Sequence, residues 1–221
     1  MENKKEKRKS VLLILLMLLI GFAMVSGTVA WLTKTDKITN SFTIGTFEEP
    51  STSPVDPTLT VDLDGNLYEP SWNANEEHKL LPGVSFEKDP YVGIGKGSED
   101  AVVYVYVQNN FSNKVYFTIN QGWEAVDGET TSGYATGTYT SGLFKYTAGL
   151  SGAASADVWT QTPLFSTVSA DDSSDIADFT VSDGKNNEIV VSSFIHQAKD
   201  DEGNAISDSE ILTAAKSAFE L

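Results

Sequence analysis

One continuous apolar run and two hydrophobic periodicities organise this chain. The run covers residues 11–25; charged residues precede it, and the small residues Ser26-Gly27-Thr28-Val29-Ala30 follow. Beyond it, alternation of period two dominates. Phe42 and Ile44, and Phe47 after Gly45 shifts the phase, are apolar between Ser41, Thr43 and Thr46, which predicts a strand with one apolar face. Residues 48–57, EEPSTSPVDP, break the pattern with three prolines and read as a loose tether.

From residue 58 the pattern is strand, turn, strand. Residues 59–63 and Leu67-Tyr68 flank Asp64-Gly65, a hairpin signal because both central residues tolerate positive φ. Pro82-Gly83 predicts a turn ahead of Val84-Ser85-Phe86. Residues 101–107, AVVYVYV, are apolar on both faces, as a central strand requires. Asn109-Asn110 ends that stretch, and strands are expected again over 114–120, 142–146, 163–168, 176–181 and 188–195. Residues 127–142 and 147–157, rich in Gly, Ser, Thr and Ala, read as long loops.

The period changes only at the end. Ser207-Asp208-Ser209-Glu210 is a capping box, and Ile211, Leu212, Ala215, Ala218 and Phe219 follow at helical spacing. The expectation is a mainly β protein, an antiparallel β-sandwich or jelly roll with a short C-terminal helix. Its divisions are an export leader at 1–30, a strand and Pro-rich tether at 31–57, and a sandwich domain at 58–221.

Charge sharpens the reading of the leader. The chain has 221 residues, 15 Lys and Arg against 31 Asp and Glu, and no cysteine. Five of those cations, Lys4, Lys5, Lys7, Arg8 and Lys9, lie in the first nine residues. A basic end, an apolar run and small residues are the order of an export signal, with cleavage expected between Ala30 and Trp31. The alternative is an uncleaved anchor, because residues 10–33 carry no charge and about 20 apolar residues span a bilayer core. Without the leader, 10 cations face 29 acids, a net of −19. Such a balance excludes nucleic acid as a partner, since counterion release needs clustered Lys and Arg. No membrane contact is expected once the leader is gone. The missing cysteines exclude disulfides, thiolate metal sites and Cys nucleophiles.

Catalytic patterns are missing as well. There are two histidines, His78 and His196, and no HExxH pair for zinc. Asn75-Glu76-Glu77-His78 reads as a solvated turn, and His196 as a packed residue at a strand end. No G-x-S-x-G occurs, and Gly149-Leu150-Ser151-Gly152 lacks its spacing. Gly93-Ile94-Gly95-Lys96-Gly97 lacks the phosphate-loop pattern and reads as a glycine-rich turn. Neither an enzyme nor a resident cofactor is expected. Calcium is the one ion to consider, through Asp62, Asp64 and Asn66, Asp171-Asp172, or Asp200-Asp201-Glu202, against the alternative of ordinary turn chemistry. Trp72, Trp123 and Trp159 with Tyr134 and Tyr139 suit either a sugar-stacking platform or a core.

Two stretches carry a resemblance. Gly27-Thr28-Val29-Ala30-Trp31-Leu32-Thr33, then Asp36, then Asn40-Ser41-Phe42-Thr43-Ile44-Gly45, resembles the leader and first strand of proteins exported through the SipW-type signal peptidase of Gram-positive bacteria. Pro82-Gly83-Val84-Ser85-Phe86-Glu87-Lys88-Asp89-Pro90-Tyr91-Val92, followed by Ala101-Val102-Val103-Tyr104-Val105, resembles a segment of the BsaA-like biofilm matrix proteins, relatives of TasA and camelysin. The resemblance implies a secreted subunit of extracellular matrix fibres with a jelly-roll core. It also implies a signal peptidase and further matrix subunits as partners, and an N-terminal strand that completes the sheet of the next copy. Phe42, Ile44 and Phe47 are the residues expected on that strand, which either pairs at a neighbour's edge or folds back onto its own domain. The peptidase activity associated with camelysin is not expected, because no zinc motif is present. The spacer Lys34-Thr35-Asp36-Lys37 is more basic than the family's usual one. A hydrolase and a glycan-binding surface adhesin are the competing readings.

Overall fold

A computed structural model describes residues 31–32, 41–61, 65–72, 78–111, 113–173 and 188–221. The leader, the strand expected at 176–181, and Asp62 and Asp64 of the expected hairpin lie outside the described residues. The elements run β1 (Trp31–Leu32), β2 (Ser41–Ile44), β3 (Leu67–Tyr68), β4 (His78–Lys79), β5 (Ser85–Glu87), β6 (Tyr91–Ile94) and β7 (Ala101–Asn109). They continue as β8 (Val115–Thr118), β9 (Trp123–Ala125), β10 (Thr131–Ser132), β11 (Thr138–Tyr146), β12 (Val158–Trp159), β13 (Thr167–Ala170), β14 (Ile189–Gln197) and a helix, α1 (Asp208–Ala218).

The larger sheet has the order β2-β14-β7-β11-β8-β13-β5, with β9 and β10 paired to β11. A smaller sheet has the order β12-β6-β3. The expected central strand is central: β7 lies between β14 and β11, in antiparallel register with each. Its alternation serves two cores. Val103, Val105 and Val107 join Ile189, Val191 and Ile195 of β14 in the main cluster, where both sheets meet, the smaller one through Leu67, Val92 and Ile94. Phe117 packs within that cluster, 4.5 Å from the Phe165 ring centroid and edge-on to Phe144 at 5.6 Å. On the opposite face Tyr104, Leu143 and Phe194 are covered by Ile211 and Ala215 of α1. The fold is therefore a mainly β, antiparallel, sandwich-like arrangement closed by one short helix.

The helix begins where the capping box places it. Ser207 has extended φ and ψ, and its Oγ accepts a hydrogen bond from the Glu210 N–H at 3.3 Å. Phe219 ends the helix, with its ring 5.5 Å from that of Tyr106.

β3 pairs with β6, Leu67 opposite Val92, and Thr60 bridges Thr52. Two expectations are corrected. Part of the expected loop at 127–142 is strand, because β11 starts at Thr138 and β10 pairs with it. Residues 48–57 are not a loose tether. Pro50 and Ser53 are buried, and residues 48–61 form a strap hydrogen-bonded along the domain. The prolines keep the strap out of a sheet but leave its other backbone N–H groups free to donate to side chains.

Candidate assembly site at the sheet edge

The N-terminal segment enters the described structure at Trp31, whose backbone pairs with Lys79, as Leu32 pairs with His78. Ala30 lies outside the described residues. The expected donor strand forms β2 at the edge of the larger sheet. It pairs with β14 in parallel, Ser41 opposite Ser193, Phe42 opposite Phe194, Thr43 opposite Ile195 and Ile44 opposite His196. All other strand pairings described are antiparallel. The three expected apolar residues do not share one buried face. Ile44 is 43 % exposed, whereas Phe47 packs against the main core beyond a bend at Gly45. That glycine has φ +123°, and a Cβ there would lie 2.9 Å from Gln197 Oε1 and 3.0 Å from the Phe47 ring.

The strap is anchored at once after the bend. The Glu48 N–H donates to Ser98 Oγ at 2.9 Å, and the Glu48 carbonyl accepts from the Gly95 N–H at 2.6 Å. Gly95 has no side chain because the Glu49 carbonyl oxygen would lie 2.5 Å from its Cβ. Asp157 holds the next turn. Its Oδ2 accepts from the N–H groups of Ser51 (2.7 Å) and Thr52 (2.9 Å) and from the Thr52 hydroxyl (2.8 Å). Its Oδ1 accepts from the Lys96 N–H at 3.1 Å. Burial works against the charge, but these donors together hold the Asp157 carboxyl below the usual carboxylate range. Trp159 lies over Gly93, where a Cβ would sit 2.5 Å from the indole, and its Nε1–H donates to the Thr52 carbonyl at 3.1 Å.

The Pro82 to Pro90 motif takes a different role. Gly83, with φ +74°, follows Pro82 in a turn closed by the Val84 N–H to the Leu81 carbonyl at 3.1 Å. Lys88, Asp89 and Pro90 then carry the chain from β5 in the larger sheet to β6 in the smaller one. Lys88 is 2 % exposed; its Nζ lies 2.7 Å from Glu69 Oε2 and 4.7 Å from the centre of the Trp72 ring. Asp89 accepts from the Ser71 N–H at 2.8 Å and the Ser71 hydroxyl at 2.9 Å. Its burial, only partly countered by those bonds, raises its carboxyl above the usual range. The Pro90 carbonyl accepts from the Leu164 N–H at 2.9 Å. The motif is a polar knot that joins the two sheets.

The residues weighed for other chemistry are dispersed. Trp72, Trp123 and Tyr139 pack in or against the main core, and Tyr134 is exposed on its own loop, stacked edge-on to Tyr116. His196 is buried, with Nδ1 2.7 Å from the Gln197 carbonyl oxygen. Asp171 is engaged by Lys114 and Ser173, and Asp200 by the N–H groups of Glu202 and Asn204. Asn66 donates to the Gly93 carbonyl at 2.8 Å. Among the described residues no group of three or more His, Asp or Glu is arranged to hold a metal ion, and no helix is long and apolar enough to cross a membrane.

Sequence reasoning missed Asp157, Trp159, Gly95 and Ser98 as anchors of the N-terminal segment. Asp157 sits at the end of a small-residue stretch, and no local pattern pairs it with Ser51 and Thr52, more than 100 positions away. No protein-family model matches the chain, and no curated protein and no solved structure matches it significantly.

Proposed function

We propose that this chain is a secreted structural subunit of extracellular matrix fibres on a Gram-positive cell surface, polymerising by donation of its N-terminal strand. One observation carries the reading. β2 is a four-residue strand attached at one edge of the larger sheet, and among the described residues its strand partner is β14. When β2 leaves, nine-residue β14 presents an unpaired edge that accepts the same strand from any other copy. Such a contact joins different surfaces of the two partners, so it propagates head to tail into an open filament.

Three further features support the reading. The leader has the order of an export signal and resembles those cut by the SipW-type peptidase. The Lys88-Asp89-Pro90 segment braces the two sheets against each other, a mechanical use of the residues that carry the family resemblance. The tryptophans weighed for glycan stacking are engaged in packing, Trp72 and Trp123 with the main core and Trp159 with the strap, which favours a structural subunit over a sugar-binding adhesin.

The test compares two forms of the secreted chain, one beginning at Trp31 and one at Gly45. Truncation at Gly45 removes β2 and leaves the strap, whereas truncation at Pro57 would also strip the partners of Asp157 and Trp159. Light scattering and electron microscopy should show filaments from the longer form and monomers from the shorter. Because the domain carries a net of −19, filament yield should rise with ionic strength as repulsion between copies is screened. Monomers from both forms across salt and calcium would overturn autonomous assembly.

A further inference from the structure

The fibre reading leaves open which part of the N-terminal segment moves, and the inference here rests on that reading. Residues 41–44 and 48–61 are held in different ways. β2 is held by a parallel ladder on one side, with Ile44 43 % exposed. The strap is held from three separate places: by the acceptors Ser98 Oγ and the Asp157 carboxylate, and by the Gly95 N–H, which donates to the Glu48 carbonyl. It is also closed on itself, the Ser53 N–H donating to the Leu59 carbonyl at 3.0 Å and the Val61 N–H to the Ser51 carbonyl at 2.9 Å. Releasing the strap would expose buried Pro50 and Ser53 and uncover the indole of Trp159. Releasing the residues up to Ile44 breaks two short ladders among the described residues, β2 with β14 and Trp31–Leu32 with His78–Lys79.

We propose that Gly45, Thr46 and Phe47 form the hinge of exchange, that residues up to Ile44 pass to β14 of a second copy of this chain, and that the strap stays clamped to its own domain. Two consequences follow from the hinge itself. The first is reach. Glu48 is fixed at Gly95 and Ser98, and an extended chain advances at most about 3.5 Å per residue, so Ile44 lies within roughly 14 Å of that anchor. The receiving copy must bring the C-terminal end of its β14 to within that distance, which makes neighbouring subunits closely packed.

The second consequence is strain. The self-docked conformation needs φ +123° at residue 45, with no room for a Cβ beside Gln197 and Phe47. The two paths diverge at this residue, and an extended hinge takes ordinary negative φ. A side chain at position 45 therefore penalises the self-docked form and leaves the exchanged form unstrained.

Hydrogen exchange on the secreted monomer decides the hinge. The amides of residues 42–44 should lose protection well ahead of those of Ser51, Thr52 and Val61. Equal rates for the two segments would mean that they open together and would overturn the assignment. Cross-linking decides the partner. The chain has no cysteine, and the register sets Ser41 opposite Ser193, so Ser41→Cys and Ser193→Cys proteins, mixed and oxidised, should give mixed disulfide dimers. Adding Gly45→Ala to the Ser41→Cys protein should raise that yield several-fold. Inserting four Gly and Ser residues between Thr46 and Phe47 should lower it, because a longer hinge relaxes the closed form. An unchanged yield with Gly45→Ala overturns the role given to Gly45, provided its melting temperature shows a folded domain. Separate opening without mixed dimers keeps the hinge and removes strand donation, so the failure of the fibre reading is distinguished from the failure of this one.

Discussion

Lys88 and Asp157 each centre a knot that ties a proline-containing crossing to the body of the domain, by opposite electrostatic means. At Lys88 a full cation and the Glu69 carboxylate are both almost entirely out of water, 2.7 Å apart, with Trp72 beneath the ammonium. At Asp157 a carboxylate near the surface collects backbone N–H groups from the strap and from the turn at Lys96. The first arrangement carries a large desolvation cost and tolerates no missing partner. The second is a set of charge-assisted hydrogen bonds, each stronger than a neutral one, in reach of solvent that weakens them. One knot belongs to a permanent joint between sheets; the other is an attachment of intermediate strength.

The contrast is broken most severely at Lys88. Lys88→Ala leaves the Glu69 carboxylate buried without its cation and should cost about 3–5 kcal/mol, read as a large fall in melting temperature or in soluble yield. The paired change Lys88→Met with Glu69→Gln should recover much of that loss. If Lys88→Ala melts within a degree or two of the parent, the ion pair is not the joint described here. Gly93→Ala comes next. A methyl 2.5 Å from the Trp159 indole forces the ring off its seat, at about 1–3 kcal/mol, with a change in tryptophan fluorescence as the specific readout.

Asp157→Asn should cost about 1 kcal/mol and act locally, speeding exchange of the Ser51 and Thr52 amides. Its pH dependence has a definite sign. The folded-state carboxyl is held below the usual range, so its contribution is present above about pH 4 and is lost as pH falls further. Protection of those two amides should therefore drop in acid for the parent and stay flat for Asp157→Asn. A parallel loss in both would assign the acid response to other groups. The smallest effect is expected at the exposed Lys199–Asp100 pair, 2.9 Å apart. Lys199→Ala should change stability by no more than about 0.5 kcal/mol, and a loss comparable to that of Asp157→Asn would show that surface pairs matter more here than their exposure suggests.

Much of the architecture was legible in the sequence because it rests on local signals. The doubly apolar run beginning at Ala101 and the run at 188–195 became two of the three nine-residue central strands, since a strand covered on both faces favours apolar residues at most positions. The helix start was legible because Ser207 and Glu210 are three residues apart and need no distant partner. The 163–168 segment was only half right: Leu164 and Phe165 are core residues in a connection, and the strand itself is Thr167–Ala170. Short apolar runs predict burial more reliably than they predict strand. The strand at Ser41–Ile44 was recognised, but not that Phe47 and Ile44 part company at Gly45, because that depends on Gln197 lying alongside.

The sequence by itself determined the alternation, the cap, the turn glycines and prolines, the acidic balance and the order of charged, apolar and small residues over positions 1–30. Each of these is a property of neighbours along the chain. Tertiary structure alone decided that β2 runs parallel to β14, that Lys88 meets Glu69 and Trp72 between two sheets, and that a proline-rich stretch becomes a fixed strap. These depend on groups 16 to more than 100 residues apart, and a backbone donor with no local partner takes whichever acceptor the fold sets beside it.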